Sequence, residues 1–311
     1  MLRARFLALA SLTLALTGPS AIATTWVPVK VKCPIGGKKF ETMAMASNSY
    51  FGERPDGRRY SPSPIPPIDE CPDNGFVIFD TELSKVEIAQ LVPLVASPDY
   101  QALRSTETRH YRAWWLMEKL GRDPYARAIQ LMFAGWETDD LAERKARYQS
   151  QFAAAVLSLD YSGERRDDWF WLRLRAANAL RETSRFDEAG AILAATDLPE
   201  RMPKEPDQLE SAKRYSDGLR ALIRDRNPHA EPANLIPPRA AVERCKEAAL
   251  TLAETDACKG QAINDEIEEQ RKWREAEAQT DTPTAVGAAS DAAEAAAEAA
   301  DRAKRAAQTP D

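Results

Sequence analysis

The sequence predicts a mainly α-helical protein with a small β-hairpin near its N-terminus. Helix start and stop signals recur from Thr81 to Arg226, whereas residues 26–51 alternate in a strand-like way. The chain also has four cysteines, two on each side of the helical stretch. These observations indicate an irregular helical bundle flanked by two smaller units, each with its own cysteine pair.

The N-terminal segment, residues 24–80, is predicted to be a hairpin followed by a long loop. Val27, Val29 and Val31 lie on one face of a first strand, and a second strand is expected at 40–45, after the turn at Gly36 and Gly37. Residues 52–70 contain two glycines and five prolines, which predicts an extended loop without regular structure. Such a loop is expected to be a solvated insertion, with a Pro-rich ligand for another protein as the alternative.

Residues 81–226 are predicted to form consecutive helices with short links, which places neighbours antiparallel. Ser84 and Glu87 form a capping box, and Ser97-Pro98 and Asp123-Pro124 place a cap residue before a proline in the first turn. Gly121, Gly163 and Pro199 mark helix ends. The predicted helices lie near residues 84–95, 98–103, 107–120, 124–135, 139–159, 166–182, 186–195 and 206–225.

One helix pair in this region is similar to a tetratricopeptide repeat. Ala176 and Ala177 supply small residues where two helices must approach closely, and Phe186 supplies a large aromatic residue at the turn between them. A weaker copy begins at Leu120-Gly121-Arg122, but the two copies do not follow the regular period of about 34 residues. The prediction is therefore an irregular tetratricopeptide-like bundle and not a strict solenoid.

Two short segments each look like a zinc knuckle, Cys-Pro-x-Cys-Gly, that lacks its second cysteine. They are Cys33-Pro34-Ile35-Gly36-Gly37 and Cys71-Pro72-Asp73-Asn74-Gly75. Together with Phe40 and the helical stretch 114–193, they resemble the bacterial domain-of-unknown-function family 2225, in which a zinc ribbon precedes tetratricopeptide-type helices. The resemblance covers roughly residues 30–225. It implies a degenerate zinc ribbon in residues 24–80, and it implies no activity.

Gly36 and Asn74 stand where each knuckle would have its second metal ligand, so only two thiolates remain for an ion that takes four ligands. We therefore expect no metal and no cofactor. Four cysteines allow three disulfide connectivities, of which the pairing of near neighbours, Cys33 with Cys71 and Cys245 with Cys258, is favoured. Two unpaired buried cysteines at positions 33 and 71 are the alternative.

Residues 1–23 have the three regions of a cleavable signal peptide. Arg3 and Arg5 supply positive charge, Phe6–Leu16 is an apolar run too short to cross a bilayer, and Ala21-Ile22-Ala23 is a small-x-small cleavage pattern. Cleavage is expected before Thr24. The sequence therefore predicts a periplasmic or secreted protein without a transmembrane segment, in an oxidising compartment where disulfides form.

Three segments follow the helical region. Residues 227–238 are a Pro-rich linker by composition, 239–279 a helical unit with the second cysteine pair, and 280–311 an Ala-rich disordered or isolated helical tail. The order Cys245, Ala248, Glu254 and Cys258 in the helical unit resembles the two-cysteine hairpin of periplasmic lysozyme-inhibitor-like proteins.

The sequence offers no catalytic residues. His110 and His229, the two histidines, lack the neighbours of a nucleophilic or zinc site, and no Gly-rich phosphate loop is present. The adjacent acids Asp139-Asp140 and Asp167-Asp168 are explained as helix-start residues that interact with the helix dipole. The formal net charge is −6 and no basic cluster stands out, so nucleic acid is a poor partner.

Aromatic residues concentrate in the helical region. Most are expected in the core, but adjacent residues on a helix point about 100° apart, so one tryptophan of each close pair is free to line a groove. The candidate groove residues are Trp114, Trp115, Trp169 and Trp171. The predicted function is an exported protein-binding or scaffold protein without catalysis and with an unknown partner. The alternatives are an envelope hydrolase with acidic groove residues and lysozyme-inhibitor-like binding by the C-terminal unit.

Overall fold

A computed structural model describes residues 24–161 and 163–280. The predicted signal peptide and the Ala-rich residues 281–311 lie outside the described residues. The chain divides into two compact units, one up to Ala230 and one from Glu231 onward. The predicted fold class is confirmed, since the described residues are mainly helical with a two-stranded hairpin at their N-terminal end.

The hairpin consists of β1 (Thr24–Lys32) and β2 (Lys39–Asn48). The helices of the first unit are α1 (Lys85–Ala96), α2 (Pro98–Thr106), α3 (Arg109–Lys119), α4 (Pro124–Trp136), α5 (Ala142–Leu157), α6 (Arg166–Glu182), α7 (Phe186–Thr196) and α8 (Pro206–Arg224). A 3₁₀ turn, Gly163–Arg165, precedes α6. The helices of the second unit are α9 (Pro238–Arg244), α10 (Leu252–Cys258) and α11 (Gln261–Thr280).

The two strands pair antiparallel, with Val31 opposite Phe40 and Trp26 opposite Met45. The turn between them uses Gly36 and Gly37 with φ of +82° and +71°, a left-handed conformation that glycine adopts without strain. The second strand extends to residue 48, further than the predicted 40–45. A hairpin of this size is marginally stable alone, so its fixed position depends on packing against the helices.

The turn end of the hairpin and the first three helices share one hydrophobic core. The buried members of this N-terminal core are Cys33, Ile35, Cys71, Phe76, Val77, Leu91, Val95, Tyr100, Ala113 and Leu116. Cys33 and Cys71 are paired in the middle of it, with their Cα atoms 5.7 Å apart. This distance is ordinary for a disulfide, so the favoured pairing fits the structure.

From α3 to α8, each helix packs against the next one in the chain, and α6 also contacts α8. The predicted helices are present with boundaries that differ by a few residues. The largest differences are three residues: α2 ends at Thr106 instead of 103, and α5 starts at Ala142 instead of 139 because residues 137–140 form a turn. Among the described helices, none has the length and apolar character needed to span a bilayer.

In the second unit, α9 packs against α11, and the disulfide between Cys245 and Cys258 joins the ends of α9 and α10. The Cα atoms of this pair are also 5.7 Å apart. Glu254 is fully buried beneath this link. Its carboxylate accepts hydrogen bonds from Nε of Arg244 at 2.7 Å and from the amide of Thr251 at 3.0 Å. Glu254, which carried part of the resemblance to lysozyme-inhibitor-like proteins, therefore helps to hold this unit together.

Candidate functional site

Part of the Pro-rich loop is inserted between the helices of the first unit. Residues 54–57 are buried, so the prediction of a solvated insertion is wrong at this point. We call residues 51–60 the groove loop. Its two ends are held together by the stacked rings of Phe51 and Tyr60, whose centroids are 5.1 Å apart. At its tip the amide of Gly57 donates to the carbonyl of Arg54 at 2.9 Å, which closes a tight turn.

Three helices bind the backbone carbonyls of the turn. From α4, the indole Nε1 of Trp136 donates to the carbonyl oxygen of Asp56 at 3.3 Å. From α8, the hydroxyl of Tyr215 donates to the carbonyl oxygen of Pro55 at 2.5 Å. Arg175 of α6 lies 3.5 Å from that same oxygen and 3.2 Å from the carboxylate of Glu53. The groove loop thus lies in a groove between α4, α6 and α8, and the contacts to the carbonyls of Pro55 and Asp56 use atoms that any peptide carries.

The side chains of the turn meet a carboxylate that follows α4. Asp139 accepts from Arg54 at 2.6 Å, contacts Arg58, and pairs with Nζ of Lys145 at 2.8 Å. Burial raises the pKa of Asp139, but the hydrogen bonds from Arg54 and Lys145 outweigh it and hold that pKa below its usual value. The interpretation of Asp139 as a helix-start residue is wrong, because α5 begins at Ala142 after Leu141.

A second carboxylate lies on the other side of Lys145. Glu182 is 3.4 Å from Nζ of Lys145 and accepts from the side-chain amides of Gln149 and Asn178, each at 2.7 Å. Burial lowers the pKa of Lys145, but the charges of Glu182 and Asp139 outweigh it and raise that pKa. Lys145 therefore stays charged and bridges the two carboxylates, of which Asp139 contacts the groove loop.

The space beneath the groove loop is a cavity of about 20 Å³. Its walls include Asp56 from the loop, Trp136 from α4 and Gln149 from α5. A volume of this size holds one water molecule. The buried end of the groove therefore has no room for a further ligand while the loop is in place.

The contact between the groove loop and α6 is so close that a side chain at Gly57 would displace the guanidinium of Arg175. A β-carbon there would lie 2.2 Å from the guanidinium of Arg175, and the backbone has φ of +86°. We expect Gly57→Ala to lower the free energy of unfolding by roughly 2 to 3 kcal/mol, because Arg175 must leave its partners and the backbone is strained. Denaturation in urea measures the loss.

Gly121 provides the matched control for this prediction. It also has a positive φ, +64°, but no heavy atom lies within 4 Å of the position that a β-carbon would take there. Gly121→Ala should therefore show the backbone strain alone, about 1 kcal/mol. Equal losses in the two variants would mean that the groove loop does not pack against Arg175.

The groove continues beyond the loop as an open pocket of about 370 Å³. Its apolar wall comes from α4 and α6, and its polar rim from the first turn of α6 and from α8. Arg175 lies between the open end and the filled end and lines both. The residues around the open end are Tyr125, Ile129, Met132, Phe133, Asp167, Asp168, Trp171, Leu172, Arg175 and Gln208.

The four candidate tryptophans do not lie together. Trp171 lines the open end of the groove, with its ring 6.1 Å from that of Tyr215. Trp169 is buried and donates its indole hydrogen to the carbonyl oxygen of Leu159 at 3.2 Å. Trp114 packs on the ring of Tyr111, and Trp115 packs against the N-terminal core. Of the four, only Trp171 lines this groove.

The two half-knuckles are joined by the side-chain amide of Asn74, which occupies the position of the second metal ligand in its knuckle. The side chain of Asn74 donates to the carbonyl of Ile35 at 3.1 Å and accepts from the amide of Phe76 at 2.9 Å. Within the part of the chain that the structure describes, no group of three or more His, Cys, Asp or Glu side chains could hold a metal ion.

His110 is buried and its ring connects two parts of the first unit. Its Nδ1 lies 2.8 Å from the side-chain oxygen of Gln130, and its Nε2 lies 3.0 Å from the carbonyl oxygen of Pro66 in the Pro-rich segment. His110 therefore fixes this segment to α3 and α4.

Comparison with known proteins yields no match. No protein-family model, no curated protein and no solved structure is significantly similar to this chain. The resemblance to the domain-of-unknown-function family 2225 stays a prediction, and the function must be inferred from the groove itself.

Proposed function

We propose that this protein is an exported binding protein whose docking surface is the open end of the groove between α4, α6 and α8. The observation that carries the proposal is the groove itself, which the chain's own loop fills at one end and leaves open at the other. Stacked helical repeats commonly bind partners on concave surfaces of this kind.

The walls of the open end define the chemistry of the partner. Ile129, Met132, Phe133 and Trp171 are partly exposed apolar side chains on two neighbouring helices. An aromatic residue of this kind, placed in a pocket, is the usual anchor for a partner's apolar side chain. The partner is therefore a peptide segment that inserts aliphatic or aromatic side chains between α4 and α6.

The rim of the open end adds a charge requirement. Asp167 lines the pocket at the start of α6 and makes no ion pair within the described residues, whereas the neighbouring Asp168 lies 3.7 Å from Arg165. A carboxylate in this position favours a positive group on the occupant. The proposed partner segment therefore carries a lysine or arginine beside its apolar residues.

The export component of the proposal has separate support. Both cysteine pairs lie at disulfide distance, and disulfides of this kind persist in oxidising compartments. The predicted signal peptide at residues 1–23 points to the same place. A periplasmic or secreted protein would meet its partner in the cell envelope or outside the cell.

A photoreactive residue placed at the groove tests the docking surface. With the photoreactive group in place of exposed Gln208, irradiation in a cell-envelope extract should cross-link a protein partner. Trp171→Ala should lower the yield of that product at least about 10-fold, because loss of a central anchor costs 2 kcal/mol or more. The cross-linked peptide, read by mass spectrometry, should contain apolar residues next to a lysine or arginine.

Two controls use exposed residues elsewhere in the first unit. The photoreactive group at Val86, which is 68% exposed on α1, should give no such product, and Trp26→Ala on the hairpin should leave the yield unchanged. The proposal is wrong if the Gln208 position gives no partner, if Val86 gives the same one, or if Trp171→Ala has no effect.

The acidic residues at the filled end do not favour the hydrolase alternative. Asp139 and Glu182 each contact cations, and the adjacent cavity holds about one water molecule. A pair of carboxylates that cleaves a glycan needs an open cleft between them. No specific observation therefore leads us to propose a second function.

A further inference from the structure

We propose that the filled end of the groove is a receptor for a tight, arginine-bearing turn, that the groove loop is its intramolecular occupant, and that a partner turn of the same chemistry competes with it. This inference rests on the proposed function, since both ends belong to one groove. The partner would then have an arginine-bearing turn in addition to its apolar segment, and the groove loop would block the site for that turn.

The contacts of the groove loop are those of a bound peptide. Trp136 and Tyr215 hold backbone carbonyls, which any sequence supplies. Asp139 accepts from two of the three arginines of the groove loop, Arg54 and Arg58. The part of the loop that gives sequence specificity is therefore an arginine on each side of a tight turn. Both arginines contact the carboxylate of Asp139. Charge complementarity of this type selects a partner more than it adds affinity.

Ion pairs and hydrogen bonds anchor the loop to the helices. Of the buried residues 54–57, Pro55 is the one with a sizeable apolar side chain. None of the buried residues of the N-terminal core comes from residues 51–60. A segment held mainly by ion pairs and hydrogen bonds opens at a lower free energy than a segment that is part of a core.

The rest of the N-terminal segment has its own anchor on the helices. Glu70 accepts from Arg112 at 2.7 Å and from Arg104 at 3.1 Å, next to the disulfide of Cys71 and the N-terminal core. Departure of the groove loop would leave these contacts intact. The loop can therefore exchange with a competing turn while the hairpin and the first three helices stay folded.

A peptide added in trans tests the receptor. The probe is a fluorescein-labelled peptide of residues 50–61, cyclised end to end because Phe51 and Tyr60 are adjacent in the structure. In the full chain, the triple variant Arg54→Ser, Asp56→Ser and Arg58→Ser removes the resident contacts. Fluorescence anisotropy should show at least about 10-fold tighter binding to this variant than to the wild type, whose own loop competes.

Two controls assign the binding to the turn and its carboxylate. Adding Asp139→Asn to the triple variant should weaken binding at least about 10-fold, and a probe with glutamine in place of the two arginines that contact Asp139 should not bind. The inference is overturned if the wild type binds equally well, if Asp139→Asn has no effect, or if the folded triple variant does not bind. Unfolding of the triple variant would also count against it, since the loop would then be an integral part of the fold.

Hydrogen exchange in the wild-type protein also tests whether the groove loop opens on its own. The indole N–H of Trp136 donates to the groove loop, whereas that of Trp169 donates to Leu159 in the link that follows α5. Hydrogen exchange followed by NMR should be at least about 10-fold faster at Trp136, through openings of the loop alone. Equal rates, both set by global unfolding, would contradict the inference. Failure here would leave the Trp171 test of the proposed function unaffected.

Discussion

Removal of the disulfide between Cys33 and Cys71 is expected to lower the free energy of unfolding of the first unit by about 4 kcal/mol. The two residues are 38 apart in sequence, and the chain-entropy model gives about this value for a loop of such length. The bond also lies inside the N-terminal core, so the double variant Cys33→Ala and Cys71→Ala avoids leaving a buried hydroxyl. Urea denaturation followed by tryptophan fluorescence measures the change.

The second disulfide provides the comparison. Cys245 and Cys258 are only 13 residues apart, and their loss is expected to cost about 3 kcal/mol within the second unit. Limited proteolysis should then cut after Ala230 in the Cys245→Ala and Cys258→Ala variant, and before α1 in the first variant. Peptide mapping without reduction should link residues 33 and 71; free thiols at both positions would show that the account of the N-terminal core is wrong.

Asp139→Asn is expected to lower the free energy of unfolding by about 3 kcal/mol. Removing one partner of a buried ion pair leaves the other charge without compensation, and three cations depend on this carboxylate. They are Arg54, Arg58 and Lys145, of which Arg54 has only 7% of its side chain exposed. The same variant should raise the rate of proteolysis within the groove loop.

Asp140→Asn is the matched control, because it removes the same charge one residue further along at an exposed position. It should change the free energy of unfolding by less than about 0.5 kcal/mol. An equal loss of stability in both variants would mean that the net charge of the protein, and not the ion pairs of Asp139, determines the effect.

The pH dependence of the Asp139 effect follows from its lowered pKa. A carboxyl whose pKa falls on folding stabilises the folded state above its ordinary pKa of 3.8, and this contribution is lost as the pH falls through the lower, folded value. The difference between the wild type and Asp139→Asn should therefore be constant at neutral pH. It should begin to shrink below about pH 3.8, where the unfolded carboxyl takes up a proton, and should keep shrinking until the folded carboxyl is protonated at a lower pH.

The helices could be predicted from the sequence because their signals are local. Ser84, Ser97 and Asp123 each cap the helix that follows, as expected from the residue type and the proline or glutamate nearby. The boundary of α5 was less accurate because Leu141 provides no side-chain cap. The pairing of the cysteines was favoured by their order along the chain, and the structure is consistent with it.

The filled end of the groove could not be predicted in the same way. Composition alone predicts a solvated loop over residues 52–70, whereas the burial of 54–57 depends on Asp139, Arg175 and Tyr215, which are far away in sequence. The density of charge in Glu53–Arg59 does not indicate burial, because charged residues are also typical of flexible linkers. A charged turn needs fixed partners when it is buried, and sequence periodicity does not reveal those partners.

The tryptophans show a related limit. Helical spacing correctly separates Trp169 from Trp171, since two residues along a helix correspond to nearly opposite faces. It does not indicate which face is the core. That choice depends on the positions of α7 and α8, and the structure puts Trp171 beside Tyr215 and buries Trp169.

The most direct test of the account is a double-mutant cycle between the groove loop and the helices that hold it. Arg58→Gln, Asp139→Asn and the double variant are compared by urea denaturation, with a second cycle between Arg165→Gln and Asp139→Asn as the control. Arg165 pairs with Asp123 at the opposite end of α4, so the control cycle should be additive. We expect a coupling free energy of at least about 1 kcal/mol between Arg58 and Asp139. Additivity within about 0.3 kcal/mol in both cycles would show that the groove loop does not lie in the groove.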